Sequence, residues 1–300
     1  MRAILVSRVV AGTDDMSTEP LKNQLLELEA ALQRREVRAD AARLRELLSE
    51  DFFELGVSGI TWTREAVIAA LGQEAFSRLV SHAYERGIRF FETAESYVTP
   101  AMLAVELKPY PRDSYVLMNK VTTDPGVDPA KRFDDMRRLS QTEYFDIMLL
   151  HWQHTGDWVN ESARWRDGIS EAQAKQTIKV RGVSVHGLPA LRLVPGDKWL
   201  EVAMIRMNHN GTRMDGPSAE DYTAPGNVNE VVQHVKLAKS EGMGVISMKL
   251  AGDGTFTKRD DRQKAVRFAF QHAGVDCVTI GFKSPQELDE AFDNINLAYA

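Results

Sequence analysis

Cysteine is nearly absent from this chain: Cys277 stands alone among 300 residues. One thiol excludes an internal disulfide and fits a reducing compartment, so a cytoplasmic protein is expected. Its setting, Asp276-Cys-Val-Thr-Ile280, is that of a small strand residue in a core rather than a reactive thiol. Also missing is any apolar run near the ~18 residues of a membrane span. The run from Met1 to Ala11 is broken by Ser7 and Arg8 and followed by Asp14-Asp15, without the length or cleavage site of a signal peptide. No membrane partner is therefore expected. A surplus of positive charge is lacking too. The net charge of -6 argues against nucleic acid as a partner. His151-Trp-Gln-His154 has the spacing of a metal pair, but no third ligand has a supporting motif, so no metal is expected.

What is present is core-forming material: 43% of residues are hydrophobic and 27% charged, enough for one large α/β barrel or two smaller domains. From Gly72 onward, short apolar runs alternate with helical patterns. Strands are expected at 88–92, 115–120, 145–151, 180–184, 202–207, 245–249 and 276–281. Helices are expected at 73–86, near 101–107, 129–139, near 171–177, 228–240, 261–272 and 285–296, with a helical turn near 189–193. An apolar run at 3–10 makes an eighth strand. Apolar strands between helices indicate a parallel sheet covered on both faces, and eight such units indicate a closed (β/α)8 barrel.

The strands end in chemistry. In order, their C-terminal edges offer Glu92, Lys120, His151, Ser184, Asn208, Lys249 and Lys283, with Tyr97 in the loop after Glu92. In a barrel these residues converge on one mouth. A free tyrosine, with a pKa near ~10, is a poor acid at neutrality, and an adjacent ammonium would stabilise its phenolate. A carboxylate beside the lysine would hold that ammonium, and a histidine can orient a carbonyl by hydrogen bonding. Taken singly, each residue has a plainer reading: a lysine closing a strand is usually a solvated end, and a tyrosine after a strand usually packs. His186 and His209 read as loop residues at the mouth with no assigned role.

These residues carry a resemblance. Phe91-Glu-Thr-Ala-Glu-Ser-Tyr97, Lys120, Tyr144-Phe-Asp-Ile-Met-Leu-Leu-His151, Gly182-Val-Ser184 and Gly244-Val-Ile-Ser-Met-Lys249 resemble the aldo-keto reductases in order and spacing. Val6-Ser-Arg-Val-Val-Ala-Gly-Thr13 resembles that family's first barrel strand. The resemblance implies a barrel that binds NADP(H), in preference to NAD(H), without a Rossmann fold. It implies hydride transfer to a small carbonyl substrate, with Tyr97 as general acid, Lys120 lowering its pKa and His151 orienting the substrate. Ser184, Asn208 and Lys249 would lie on the cofactor. Lys283-Ser284 would lie near its phosphate, at the start of the last helix.

The departures are specific. The family's acid after this strand is usually Asp, and here it is Glu92; one methylene moves the carboxylate by up to ~1.5 Å. Met207-Asn208-His209 stands where an aromatic residue commonly stacks on the nicotinamide. Val185 replaces the Asn that follows the serine. Glu287 and Asp289 stand near where an Arg often reads a 2′-phosphate. Residues 14–71 depart most. Leu25-Leu-Glu-Leu-Glu29, Leu44-Arg-Glu-Leu-Leu48, Asp51-Phe-Phe-Glu-Leu-Gly56, Ser58-Gly59 and Thr63-Arg-Glu-Ala-Val-Ile-Ala-Ala-Leu71 resemble the opening of SnoaL-like, nuclear-transport-factor-like domains. Two short strands are expected around Gly56–Gly59. The chain thus divides into a first barrel strand (1–13), an inserted α-rich segment or fused fragment (14–71) and a reductase-like barrel (72–300). The alternative to a reductase is a cofactor-binding barrel with little turnover, serving as a sensor or regulatory subunit. A third reading makes the N-terminal segment a binding or dimerising module. Neither the substrate nor the oligomeric state is legible.

Overall fold

The structure, a computed structural model, describes residues 53–55, 61–63, 73–97, 99–217 and 225–299. The apolar run at 3–10 and the helices expected between 20 and 49 lie outside them. Two short strands are present where they were expected, β1 (Phe53–Leu55) and β2 (Thr61–Thr63), and they pair antiparallel.

From Gln73 the chain alternates. Helix α1 (Gln73–Glu85) leads to β3 (Phe90–Glu92), α2 (Thr99–Leu107) to β4 (Val116–Val121), and α3 (Pro129–Leu139) to β5 (Phe145–Gln153). A helical turn α4 (Trp158–Glu161) and helix α5 (Ala163–Ala174) precede β6 (Ile178–Val185). The turn α6 (Leu188–Leu191) precedes β7 (Val202–Arg206), α7 (Val228–Ser240) precedes β8 (Gly244–Met248), and α8 (Arg259–Arg267) precedes β9 (Cys277–Val278). Helix α9 (Pro285–Tyr299) closes the chain. The largest difference from the sequence reading is α5, expected only near 171–177. Its buried stripe is sparse, Trp165, Ile169 and Ala172, and its remaining positions are mostly polar.

The helix ends are chemically marked. Asp128 accepts the Lys131 N–H at the start of α3, with Pro129 at the first helical position, and Asn227 does the same for Glu230 at the start of α7. Helix α1 stops at Gly87, whose φ of 94° is the left-handed conformation that ends helices.

Strands β3 to β9 form one seven-stranded parallel sheet in sequential order. The sheet curls, because residues from both edge regions, Glu92 at the end of β3 and Thr279 just beyond β9, line the same cavity. Side chains alternate between two cores. Met118, Leu149, Val202, Met204, Ile246 and Met248 pack inside the curl. Phe91, Leu117, Leu150, Val183, Ala203 and Val245 face the helices. The period of two along a strand produces this division and carries Lys120 and His151 inward, two residues beyond Met118 and Leu149. Gly182 occupies an inward position with no room for more: a Cβ there would lie 2.1 Å from the Val202 carbonyl oxygen and 2.9 Å from Leu149. Its absence lets β6 approach its neighbours.

At the strand starts, acids stitch neighbours together. Asp146 on β5 accepts the Leu117 N–H of β4 (2.9 Å), Glu201 before β7 accepts the Arg181 N–H of β6 (2.9 Å), and Asp276 before β9 accepts the Val245 N–H of β8 (2.8 Å). Basic residues complete the contacts: Arg112 and Lys179 on Asp146, and Lys239 on Asp276.

Candidate active site

The opposite ends of the strands open on a cavity of about 800 Å³. Its floor is the inner core at Met204 and Met248. Its wall carries Glu92, Tyr97, Lys120, His151, Ser184, His186 and Lys249, with Lys283 at the far side. The residues read from the strand ends thus converge on one space, with two exceptions. Asn208 is fully buried, and its side chain is spent on backbone groups of its own loop and on the Lys249 carbonyl at 3.3 Å. It donates to the Thr212 carbonyl at 2.5 Å and accepts the Gly211 N–H at 2.9 Å. Ser284 does not line the cavity; its hydroxyl accepts the Glu287 N–H as a helix cap, while Glu287 accepts the Lys283 N–H at 2.8 Å.

The first cluster stands on β3, β4 and β5. Lys120 is buried, and its Nζ contacts the Glu92 carboxylate and donates to the Thr93 carbonyl at 2.8 Å. The longer acid therefore still reaches the lysine. Burial, and then the charge of Lys249, holds the Lys120 ammonium well below its ordinary range; the Glu92 carboxylate against it works the other way. Lys120 Nζ sits 4.9 Å from the centre of the Tyr97 ring, and the Tyr97 and His151 rings meet edge to face at 5.9 Å. A bulge assists: the register between β5 and β6 shifts between Leu150 and Gln153, and Trp152 adopts a left-handed φ of 59°. That kink leaves His151 in the cavity and turns Trp152 toward His186.

The electrostatics correct one expectation. Burial, and then the Asp253 carboxylate, pushes Tyr97 up to about 12 rather than down. The physical reason is that burying the phenolate costs more than the Lys120 ammonium returns, because Glu92 lies against that ammonium and offsets its charge. Burial and Lys120 together push His151 down to about 3, so it is a neutral ring at physiological pH. Its Nδ1 is buried and has no protein hydrogen-bond partner.

A second cluster, which the strand-end pattern did not show, stands on β6 and β7. His186 Nε2 lies 3.2 Å from Ser184 Oγ, and Arg206 Nη2 donates to His186 Nδ1. Arg206 Nε is 3.8 Å from the Asp215 carboxylate, which also accepts the Gly187 N–H at 2.8 Å. All four side chains are buried. Burial, and then Arg206, holds His186 well below its ordinary value. Burial pushes Asp215 up to about 6, against Arg206 and the Gly187 amide. Arg206 was legible only as the one charge inside the apolar run 202–207; Asp215 had no local signal.

At the far end, Arg262 is held in a two-point ion pair with Glu290 (2.6 and 2.9 Å), and Lys249 pairs with Asp253 at 2.8 Å. Phe256 lines the cavity and packs on His209 at 5.1 Å, close to where the family's stacking residue was missed. Among the described residues, no group of three or more His, Cys, Asp or Glu could hold a metal ion. No described helix is long and apolar enough to cross a membrane.

A family model for the aldo/keto reductase family matches residues 55–266. The chain belongs to the aldo/keto reductase family. It is an NAD(P)H-dependent oxidoreductase of the carbonyl-reducing kind. Solved structures agree on the fold. An aldo-keto reductase from Bacillus halodurans in its holo form superposes with a TM-score of 0.59 at 16% identity, covering 74% of this chain and 82% of that one. A Pseudomonas aeruginosa protein assigned to the aldo-keto reductases gives 0.60 at 17%, covering 84% and 97%. A Klebsiella pneumoniae aldo-keto reductase in complex with NADPH gives 0.56 at 15%, covering 75% and 80%. No curated protein matches the chain.

Proposed function

We propose that this aldo-keto reductase reduces a small aldehyde or ketone to its alcohol, with Tyr97 donating the proton from its hydroxyl to the carbonyl oxygen. The observation that supports this most is the meeting of Tyr97, Lys120, Glu92 and His151 on one cavity wall. Neutral His151 would hold the carbonyl by a hydrogen bond and set its angle to Tyr97. Lys120, anchored by Glu92 and the Thr93 carbonyl, would stabilise the charge left on the phenolate.

The residues fit a nicotinamide cofactor in three respects: a cavity of about 800 Å³, an apolar floor of Met204 and Met248, and the buried Ser184 hydroxyl on its wall. A bound nicotinamide would supply the hydride. Ser184 would hold its carboxamide, while Lys249 and Lys283 would face its phosphates. Asn208 and Ser284 would act by holding the loop and the helix cap beside it. We place NADP(H) ahead of NAD(H), because similar structures hold NADPH or NADP. Glu287 and Glu290 at the far end weigh toward NAD(H).

For the rest of the fold we propose that residues 3–10 supply the eighth strand and close the barrel. Residues 14–71 would then be a segment inserted in the first loop, resembling a SnoaL-like opening, and the protein would work in the cytoplasm. A second reading rests on Tyr97: a phenol pushed up to about 12 is a weak acid, which suits a barrel that binds cofactor and turns over little. Titration with NADPH and NADH, followed by a reactive aldehyde, separates the two. Binding followed by loss of cofactor absorbance is expected. Binding without oxidation favours the sensor.

A further inference from the structure

The β6–β7 cluster has a direction that follows from which groups can donate. A guanidinium has five N–H donors and no acceptor, so in its contact with His186 the nitrogen Nδ1 must accept. His186 is neutral, because an Nδ1 that accepts carries no proton of its own; burial beside Arg206 also opposes a second proton on the ring. Its single ring proton is therefore on Nε2. That N–H points at Ser184 Oγ, 3.2 Å away, and makes the serine oxygen the acceptor. With its oxygen engaged from behind, Ser184 has its own O–H left to give, and it stands on the cavity wall.

The chain is fixed at both ends. Asp215 faces Arg206 Nε at 3.8 Å and is pinned by the Gly187 amide, and the Trp152 ring lies 4.2 Å from the His186 ring and covers it. Asn208 ties together the loop that carries Asp215. No element of this chain is needed for the reaction chemistry assigned to Tyr97. It stands beside the reacting groups all the same: the His186 and His151 rings lie 6.3 Å apart.

We infer that Asp215, Arg206 and His186 are positioning residues that polarise Ser184 into an obligatory hydrogen-bond donor, so that the group held there is a carbonyl-type acceptor, the carboxamide oxygen of the nicotinamide. The inference rests on the cofactor reading above for the identity of the acceptor, and on geometry alone for the direction of the relay. The expected consequence is selective: cofactor affinity depends on the relay through Ser184, while the proton transfer at Tyr97 does not.

Two measurements on the full chain test it. In protein labelled with 15N-histidine, the His186 ring, assigned by its loss in His186→Gln, should show a protonated Nε2 and a bare Nδ1 at pH 7. A proton on Nδ1, or a charged ring, overturns the relay whether or not any cofactor binds. Second, NADPH and NADH affinities are read by fluorescence in a double-mutant cycle. His186→Leu should weaken binding about tenfold, the worth of one hydrogen bond. His186→Gln, whose amide can donate in place of Nε2–H, should recover most of it. In a Ser184→Ala background, His186→Leu should add nothing, and the KM for cofactor should move more than kcat. Additive losses, or His186→Gln as poor as His186→Leu, overturn the inference. If the unsubstituted protein binds neither cofactor, the cofactor reading and the assigned acceptor fall together, while the ring measurement still decides the relay.

Discussion

The two ends of the sheet use the same residue types in opposite ways. At the strand starts three acids are answered: Asp146, Glu201 and Asp276 each accept a backbone amide from the preceding strand. At the strand ends several ionisable groups are shifted by burial instead. Tyr97 is pushed up, His151 and His186 are pushed down, and His151 Nδ1 has no protein partner. Satisfied charge at the starts adds stability, whereas unbalanced charge at the ends costs stability and keeps groups ready for a ligand. The comparison teaches where to look for function in such a sheet. It also predicts that substitutions at the two ends separate activity from stability.

The largest effect belongs to Tyr97→Phe, which removes one hydroxyl from the cavity. Turnover should fall by about 10²–10⁴-fold, the usual worth of a positioned general acid, while cofactor affinity and thermal midpoint stay near those of the parent. Because the acid form exists below the pKa, and that pKa is about 12, the unsubstituted enzyme should show no alkaline fall in rate from this group near pH 9. A steep loss near pH 8 would mean that cofactor or substrate lowers the phenol, or that another group is the acid. Glu92→Asp is next. It withdraws the carboxylate from Lys120 by roughly 1.5 Å, and misplacements of about 1 Å can cost on the order of 10²-fold. We expect kcat/KM to drop at least several-fold; a rise would show that the site prefers the shorter acid.

Much of this was legible in the sequence because a parallel strand has a strict period and a definite end. Lys120 and His151 follow inward Met118 and Leu149 by two residues, so placing each strand also places its functional residue. The second cluster was hidden for a physical reason. Ser184, His186, Arg206 and Asp215 are far apart in sequence in part, and their meeting depends on the bulge at Trp152 and on a folded loop at 207–217. Neither leaves a periodic trace. The direction of the Tyr97 shift was missed because the sequence shows that Lys120 is near but not how deeply the phenol is buried.

At the strand starts the expected effect is smaller and of the other kind. Asp146→Ala removes the acceptor for Arg112, Lys179 and the Leu117 amide together. The site is partly buried, so a loss of about 1–3 kcal/mol is expected, with kcat unchanged. Chemical unfolding and steady-state kinetics on the same preparation check it. A loss of kcat without a loss of stability would erase the distinction between the two ends.

The smallest effect is a slope, and its sign can be worked out group by group. The native state refuses protons at His151 and His186 that the unfolded chain, with histidines near the ordinary value of 6.5, accepts. Each such group makes stability fall as pH drops below that value, by about 1.4 kcal/mol per pH unit. Asp215 works the other way. Its native pKa of about 6 lies above the ordinary value of 3.8, so between those values the native state holds a proton that the unfolded chain has released. In that window the proton held by Asp215 offsets the one refused by His151, whose pKa near 3 lies below it. Asp215→Asn should therefore steepen the loss of stability between pH 6 and pH 4 by about one proton, or roughly 1.4 kcal/mol per pH unit, whatever it does to stability at pH 7. Urea unfolding across that range reads the slope directly. An unchanged slope would mean that Asp215 keeps an ordinary carboxylate pKa, and that Arg206 compensates its burial fully.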